Sequence, residues 1–326
     1  MKIYKRTSAI LLCVLMILML LPLCAFATDS IDLNHDVKLT VFGRDEETPL
    51  AGLSLDIYLV ASADEHGELT VAEGFSKFNV NIQGAADETQ QTLASTLEGY
   101  VLRDQIVPID SGKMNAEGRL SFPTAETRLK PGLYLVLGHR HTQNGYYYDI
   151  SPFVVMLPYM DKESGARNYD LSVNAKFDST PVPSEPSTVT RKVLKVWKDD
   201  GYEQQRPREV IVQLLCNGRV CDTVALNDGN NWRYSWTELD SAAQWTVVEK
   251  ELEKYTVEVT REGVTFVVTN TCENSTPPEP STPDQPSDPK LPQTGQLWWP
   301  VPMLIVAGLL FIAIGLIRRR GSSNEK

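Results

Sequence analysis

The chain has 326 residues, a formal net charge of −11 and five cysteines. Such an acid excess repels polyanions, so a nucleic-acid partner is excluded as the basis of function. The length sets two domains as the expectation, and so few cysteines do not make a disulfide-built scaffold.

Lys2, Lys5 and Arg6 precede an apolar run at residues 10–23, followed by Ala25-Phe26-Ala27. A charged start, a short apolar core and a small-x-small site mark a secretory signal peptide over residues 1–27, with cleavage after Ala27. Export leaves Cys216, Cys221 and Cys272. Cys216 and Cys221 flank an Asn217-Gly218 turn, so a diagonal bridge between them is open, but connectivity cannot be read from sequence.

Residues 28–178 read as a first domain. Val37, Leu39 and Val41 alternate with polar neighbours, as do Leu53, Leu55, Ile57 and Leu59. Between residues 86 and 104 the period lengthens, and Leu93, Leu97, Tyr100 and Val101 fall on one helical face. Strands resume at residues 120–122, 132–137, 153–157 and 169–175. One helix among many short strands predicts a β-sandwich with an inserted helix. Residues 179–189 form a Pro/Ser linker, and 190–272 a second, smaller set of strands with hairpin signals at Asn217-Gly218 and Asp228-Gly229. Residues 273–290 hold six prolines among Ser, Thr, Asp and Glu. Such a segment cannot pack a core and predicts an extended stalk on the order of 50 Å long, at about 3.1 Å per residue.

The second domain places three polar residues where a sandwich wants apolar ones. A period of two puts Lys195 on the face of Val193 and Trp197, Glu249 on that of Trp245 and Val247, and Asn270 on that of Phe266 and Val268. If those faces point inward, burial lowers the lysine pKa and raises that of the glutamate. A neutral amine beside a protonated carboxyl is a nucleophile with a proton shuttle. Lys195 is then set to attack the Asn270 carboxamide, with Glu249 moving protons and ammonia leaving.

The stretches RKVLKVWKDDG, VIVQLLCNGRV, NNWRYSW, WTVVEKE and VTFVVTNT resemble a collagen-adhesin B-type (Cna B) domain. That resemblance implies an intramolecular isopeptide bond between Lys195 and Asn270, with Glu249 as its catalytic group. The stretches PLAGLSLDIYLVA, LKPGLYLVLGH, SPFVVMLP and NYDLSVNAKFD resemble the N-terminal domain of sortase-assembled Gram-positive pilins. There a lysine near the domain end accepts the next subunit, and Lys176 lies at the matching place. The motif departs at Arg167, Asn174 and Ala175, which puts polymerisation in doubt. Parity puts Lys176 opposite Leu171, Val173 and Ala175, on the accessible face.

Residues 291–326 close the chain. Leu291-Pro292-Gln293-Thr294-Gly295 precedes an uncharged apolar run at 297–317 that ends in Arg318-Arg319-Arg320. The run is long enough for a transmembrane helix, and the arginines favour a cytoplasmic tail. The order resembles the cell-wall sorting signal of Gram-positive surface proteins. This implies a sortase that cuts between Thr294 and Gly295 and passes the threonine acyl group to an amine. The acceptor amine belongs to a peptidoglycan precursor or to another pilin subunit.

The expectation is thus an all-β chain of two tandem Ig-like sandwiches, wall-anchored and structural, either a pilin or a non-polymerising adhesin for an unnamed ligand. No cofactor or metal is expected. His139 and His141 lack a third ligand, Asp110-Ser111-Gly112 lacks a doubly wound α/β context, and Tyr146-Tyr147-Tyr148 reads as packing rather than as a sugar platform.

Overall fold

Alternation of apolar and polar residues builds two β-sandwiches in a computed structural model that describes residues 30–82, 90–125, 128–161 and 165–272. Ala25 and Ala27, the stalk, the sorting motif Leu291, Pro292, Thr294 and Gly295, and the 297–317 run lie outside these residues. Among the described residues no helix is long and apolar enough to cross a membrane.

In the first sandwich, Lys38–Phe42 is central, parallel to Asp170–Asn174 and antiparallel to Arg119–Phe122. The facing sheet runs Phe153–Leu157, Gly132–Gly138, Ser54–Ala63 and Leu69–Val71, with Asp110–Lys113 pairing the start of Ser54–Ala63. Leu39, Val41 and Phe122 meet Leu55, Ile57 and Val136 in a dry core. Leu133 to Leu137 is buried on both faces, which explains its unbroken apolar run. One face closes the first core; the other meets the helix.

That helix, Gln90–Asp104, carries Leu93, Leu97, Tyr100 and Val101 inward as its period requires. Ala94, Thr96 and Gly99 are buried as well, so the covered arc is wider than one face. The extra arc packs on the second sandwich. Residues of both sandwiches and the helix form one continuous hydrophobic cluster, which includes Val60, Leu135, Leu97, Val212, Val248 and Val268. The inserted helix is therefore not an appendage of the first domain but the layer between the two.

The second sandwich shares one feature with the first, an opening strand that runs parallel to a strand near the end of the domain, but its two sheets hold four and three strands. Thr188–Lys198 is parallel to Thr265–Cys272, flanked by Arg233–Asp240 and Tyr255–Glu262. The opposite sheet runs Arg219–Asn227, Glu209–Cys216 and Trp245–Glu249. Asn217 and Gly218, both at positive φ, close the hairpin expected there. Asp228-Gly229 does not close one. A 3-10 turn at Asp228–Asn230, capped reciprocally by Asn227 and Asn230, carries the chain from one sheet to the other.

Two further differences concern expected boundaries. Phe177–Pro181 pairs antiparallel with Tyr146–Ile150, and Thr188 already opens the next strand, so the segment between strands shortens to residues 182–187. The prolines tolerate this because Pro181 ends its strand, where no ladder donor is required. No Cys216–Cys221 bridge is present: the register slips between Leu214 and Leu215, opposite Cys221.

Candidate functional site

Lys195 and Asn270 come from neighbouring parallel strands of one sheet, with Lys195 opposite Val268 and Asn270 opposite Trp197. Glu249 ends the Trp245–Glu249 strand of the other sheet and reaches across the core. All three are buried, at 4%, 1% and 0% exposure for Lys195, Glu249 and Asn270. Inward parity is thus what the structure shows at each position.

The carboxyl of Glu249 bridges the other two. Its Oε2 stands 3.5 Å from Lys195 Nζ, and its Oε1 accepts a hydrogen bond from Asn270 Nδ2 at 2.6 Å. Lys195 Nζ also donates to the carbonyls of Val196 and Val268, at 3.1 and 3.2 Å. The ammonium lies 4.3 Å from the centroid of the Trp197 ring. Asn270 Oδ1 is buried with no hydrogen-bond donor. A dry core penalises both charged forms. Burial pulls the Lys195 pKa down to about 8 despite the nearby carboxylate, and pushes Glu249 up. An amine with reduced proton affinity and a carboxamide, joined through a carboxyl reluctant to ionise, are competent for amide exchange with loss of ammonia.

A second buried polar group stands behind Lys195. Asp199 is fully buried, yet its carboxylate takes a two-pronged bond from Arg206, at 2.8 and 2.5 Å, and a third from the Tyr255 hydroxyl at 3.2 Å. The Arg206 guanidinium bonded to it holds the Asp199 pKa below the usual carboxylate range. Arg206 also covers the Trp197 ring from 5.5 Å. Sequence reasoning missed this pair, because Asp199 sits in a polar run, Lys198-Asp199-Asp200-Gly201, that reads as an exposed turn. The bulky Trp197 before it and an arginine seven positions on were the available signal.

Lys176 falls between Asp170–Asn174 and Phe177–Pro181. Its side chain is exposed, while its carbonyl accepts from Ser151 N–H at 2.9 Å and the preceding Ala175 is buried. Lys38, out of phase with the inward Val37, Leu39 and Val41, pairs with Asp170 at the surface, 3.4 Å away. His139 leans on Asp56 at 2.8 Å and His141 on Gln143 at 3.1 Å. Of the three tyrosines, Tyr148 is core and Tyr147 lies under Arg140.

The second sandwich and its buried Lys–Glu–Asn set lie in a segment with a recognised family signature. Residues 191–271 match the model of the Cna protein B-type domain. A collagen adhesin from Staphylococcus aureus is 30% identical over 210 residues, which span 62% of this chain and 16% of that protein. The chain therefore corresponds to only a small part of that relative's length. Among solved structures, a single B repeat unit of the collagen-binding surface protein of Staphylococcus aureus is 16% identical. It covers 73% of this chain and 98% of that one, with a TM-score of 0.25. The major pilin SpaD from Corynebacterium diphtheriae is 15% identical over 74% of this chain and 65% of its own, with a TM-score of 0.28. A basal pilin from Lactobacillus rhamnosus GG is 11% identical over 70% and 84%, with a TM-score of 0.30.

Proposed function

We propose that this chain is a structural protein of the Gram-positive cell surface, exported, held to the wall by its sorting signal and locked internally by an isopeptide bond between Lys195 and Asn270. The observation that carries the reading is the buried Lys195–Glu249–Asn270 set inside the segment that matches the Cna B-type model. The bridging carboxyl suggests the proton route. Neutral Lys195 Nζ attacks Asn270 Cγ; Glu249 Oε2 takes the amine proton as the new N–C bond forms. Oε1, already on Nδ2, delivers a proton to that nitrogen, the Cγ–Nδ2 bond breaks, and ammonia departs. The atoms balance, with amine plus carboxamide giving a secondary amide plus ammonia. The chain is not an enzyme in this reading, since the reaction runs once and within itself.

At the ends, sortase acts on Leu291-Pro292-Gln293-Thr294-Gly295 and passes Thr294 to an amine of the peptidoglycan precursor or of Lys176 in another copy. The exposed Lys176, on a backbone held from both sides, favours the pilin form. The departures at Arg167, Asn174 and Ala175 favour the second form, a wall-linked adhesin that does not polymerise. Wall extracts boiled in denaturant separate the two: a pilin gives a ladder of covalent multimers that vanishes in Lys176→Ala, and an adhesin gives a single band in wild type.

A further inference from the structure

The strand that delivers Glu249 is held from outside its own domain. Trp245–Glu249 is an edge strand of five residues, paired only with Glu209–Cys216. The helix Gln90–Asp104 of the first domain lies against it. Gly99 comes so close that a Cβ there would stand 2.9 Å from the Val247 carbonyl oxygen and 3.3 Å from Val248 Cβ. Val248, which points away from the Lys195 core by parity, is nonetheless only 1% exposed. On the other side of Glu249, Glu251 is ion-paired to Arg103 from the end of the same helix. Positions 247, 248 and 251 bracket Glu249, and all are fixed by the first domain.

The next strand is tied down in the same way. The Thr96 hydroxyl accepts from Val259 N–H at 2.8 Å, in a buried bond. The Asn79 carbonyl accepts from Val257 N–H at 3.0 Å, and the Asn79 amide donates to the Tyr255 carbonyl at 2.5 Å. Tyr100, stacked on Phe78 at 4.2 Å, fills the helix side of the cluster with a buried hydroxyl that has no partner.

We propose that this helix is a positioning element for the cross-link: by pressing on Val247 and Val248 and holding Glu251, the first domain sets where the Glu249 carboxyl stands between Lys195 and Asn270. The bond then forms at full rate only when the two sandwiches are docked. This rests on the cross-link reading above. It gives the exported chain an order of assembly, with domain docking first and covalent locking second, so a chain misdocked during export is not locked in that state. Edge strands held by a single neighbour open readily, and a carboxyl displaced by about 1 Å loses its bridging geometry.

The test is to synthesise the mature chain, residues 28–294, in a cell-free system and follow the loss of one ammonia by intact mass over time and pH. Gly99→Leu, which wedges the helix off Val247, is expected to slow the loss at least tenfold. It also admits water to the pair. The groups that act on the pair are Asp199 and Arg206 from the second domain, with Tyr255 bonded to Asp199, and on the helix side Tyr100, which feels the Glu249 charge and has Arg103 and Glu251 beside it. With water present, the Lys195 pKa relaxes upward and that of Glu249 downward. The pH profile therefore broadens at both limbs while its maximum falls, a signature that simple destabilisation does not give. A folded Gly99→Leu chain with wild-type rate and profile overturns the proposal. Where Gly99→Leu does not fold, Thr96→Val and Asn79→Ala carry the test, since they remove only side-chain hydrogen bonds, those of Thr96 with Val259 and Thr92 and those of Asn79 with Leu252 and Tyr255, without adding volume. Each is expected to slow the reaction at least twofold, and wild-type rates in both overturn it. A wild-type chain that never loses ammonia defeats the cross-link reading itself, and the positioning role falls with it.

Discussion

Lys195, Glu249 and Asn270 form a buried set whose cost the proposed cross-link accounts for. Carboxylates and ammonium groups are seldom placed in dry cores without extensive partners. Here one carboxyl serves both neighbours and one carbonyl oxygen, Asn270 Oδ1, has no donor. The chemistry requires the pair to share a single proton, so its pH dependence follows from the two shifts. At low pH Glu249 is a carboxylic acid and Lys195 an ammonium, and there is no nucleophile. Well above about 8 Lys195 is a free amine but Glu249 is a carboxylate, and no proton remains for the departing nitrogen. The rate of ammonia loss in freshly synthesised chains is therefore expected to pass through a maximum and fall on both sides. A rate that climbs steadily up to pH 10 contradicts the shared-proton account. Asp199 offers a second prediction at this scale. Arg206→Ala leaves a buried carboxylate with only Tyr255, and should cost roughly 3 kcal/mol in chemical denaturation. Because Asp199 has a depressed folded pKa, its contribution is present above the ordinary carboxylate range and lost as acid protonates it. The gap between wild type and variant should thus narrow toward low pH. Period-two parity made the inward placement of the triad legible in the sequence. The bridging of Glu249 between two sheets was not, because parity fixes a face and not a distance.

Among the elements, the helix and the turn at Asp228–Asn230 show where sequence patterns mislead. Leu93, Leu97, Tyr100 and Val101 announced a helix with one buried face, and that face is buried. The opposite arc holds Thr96 and Gly99, small or polar residues that look like a solvent face. At Gly99 the Val247 carbonyl passes too close for a side chain, and the Thr96 hydroxyl accepts from Val259 N–H. Likewise, Asp228-Gly229 has the composition of a hairpin turn, yet the capping box of Asn227 and Asn230 and the positive φ of Asn231 and Trp232 turn the chain into the other sheet. Asn227→Ala should cost about 1 kcal/mol, read from the shift in denaturant midpoint. A neutral outcome means that the cap does not hold this crossover. The Leu133–Leu137 run was legible as a strand, but only the structure shows what covers its second face.

At the scale of the molecule, the two sandwiches share one cluster and are closed by the same device, a first strand parallel to the last. In the second domain the proposed bond would join those two strands. Tension between Lys176 and Thr294 would then pass from residue 195 straight to residue 270, leaving the intervening chain and most of the first domain unloaded. A cross-link that closes a loop of about 75 residues removes about 4 kcal/mol of chain entropy from the unfolded state. Asn270→Ala is therefore expected to melt roughly 10 °C lower, and in one transition rather than two, because the helix couples the domains. Two well-separated transitions in that variant contradict the shared core.

The most direct measurement is the intact mass of the mature wild-type chain, followed by digestion and sequencing of the joined peptide. The account predicts a mass one ammonia short, a branched fragment that links Lys195 to Asn270, and the full mass restored in Glu249→Ala. A wild-type chain of full calculated mass, with Lys195 and Asn270 recovered in separate unmodified peptides, contradicts it.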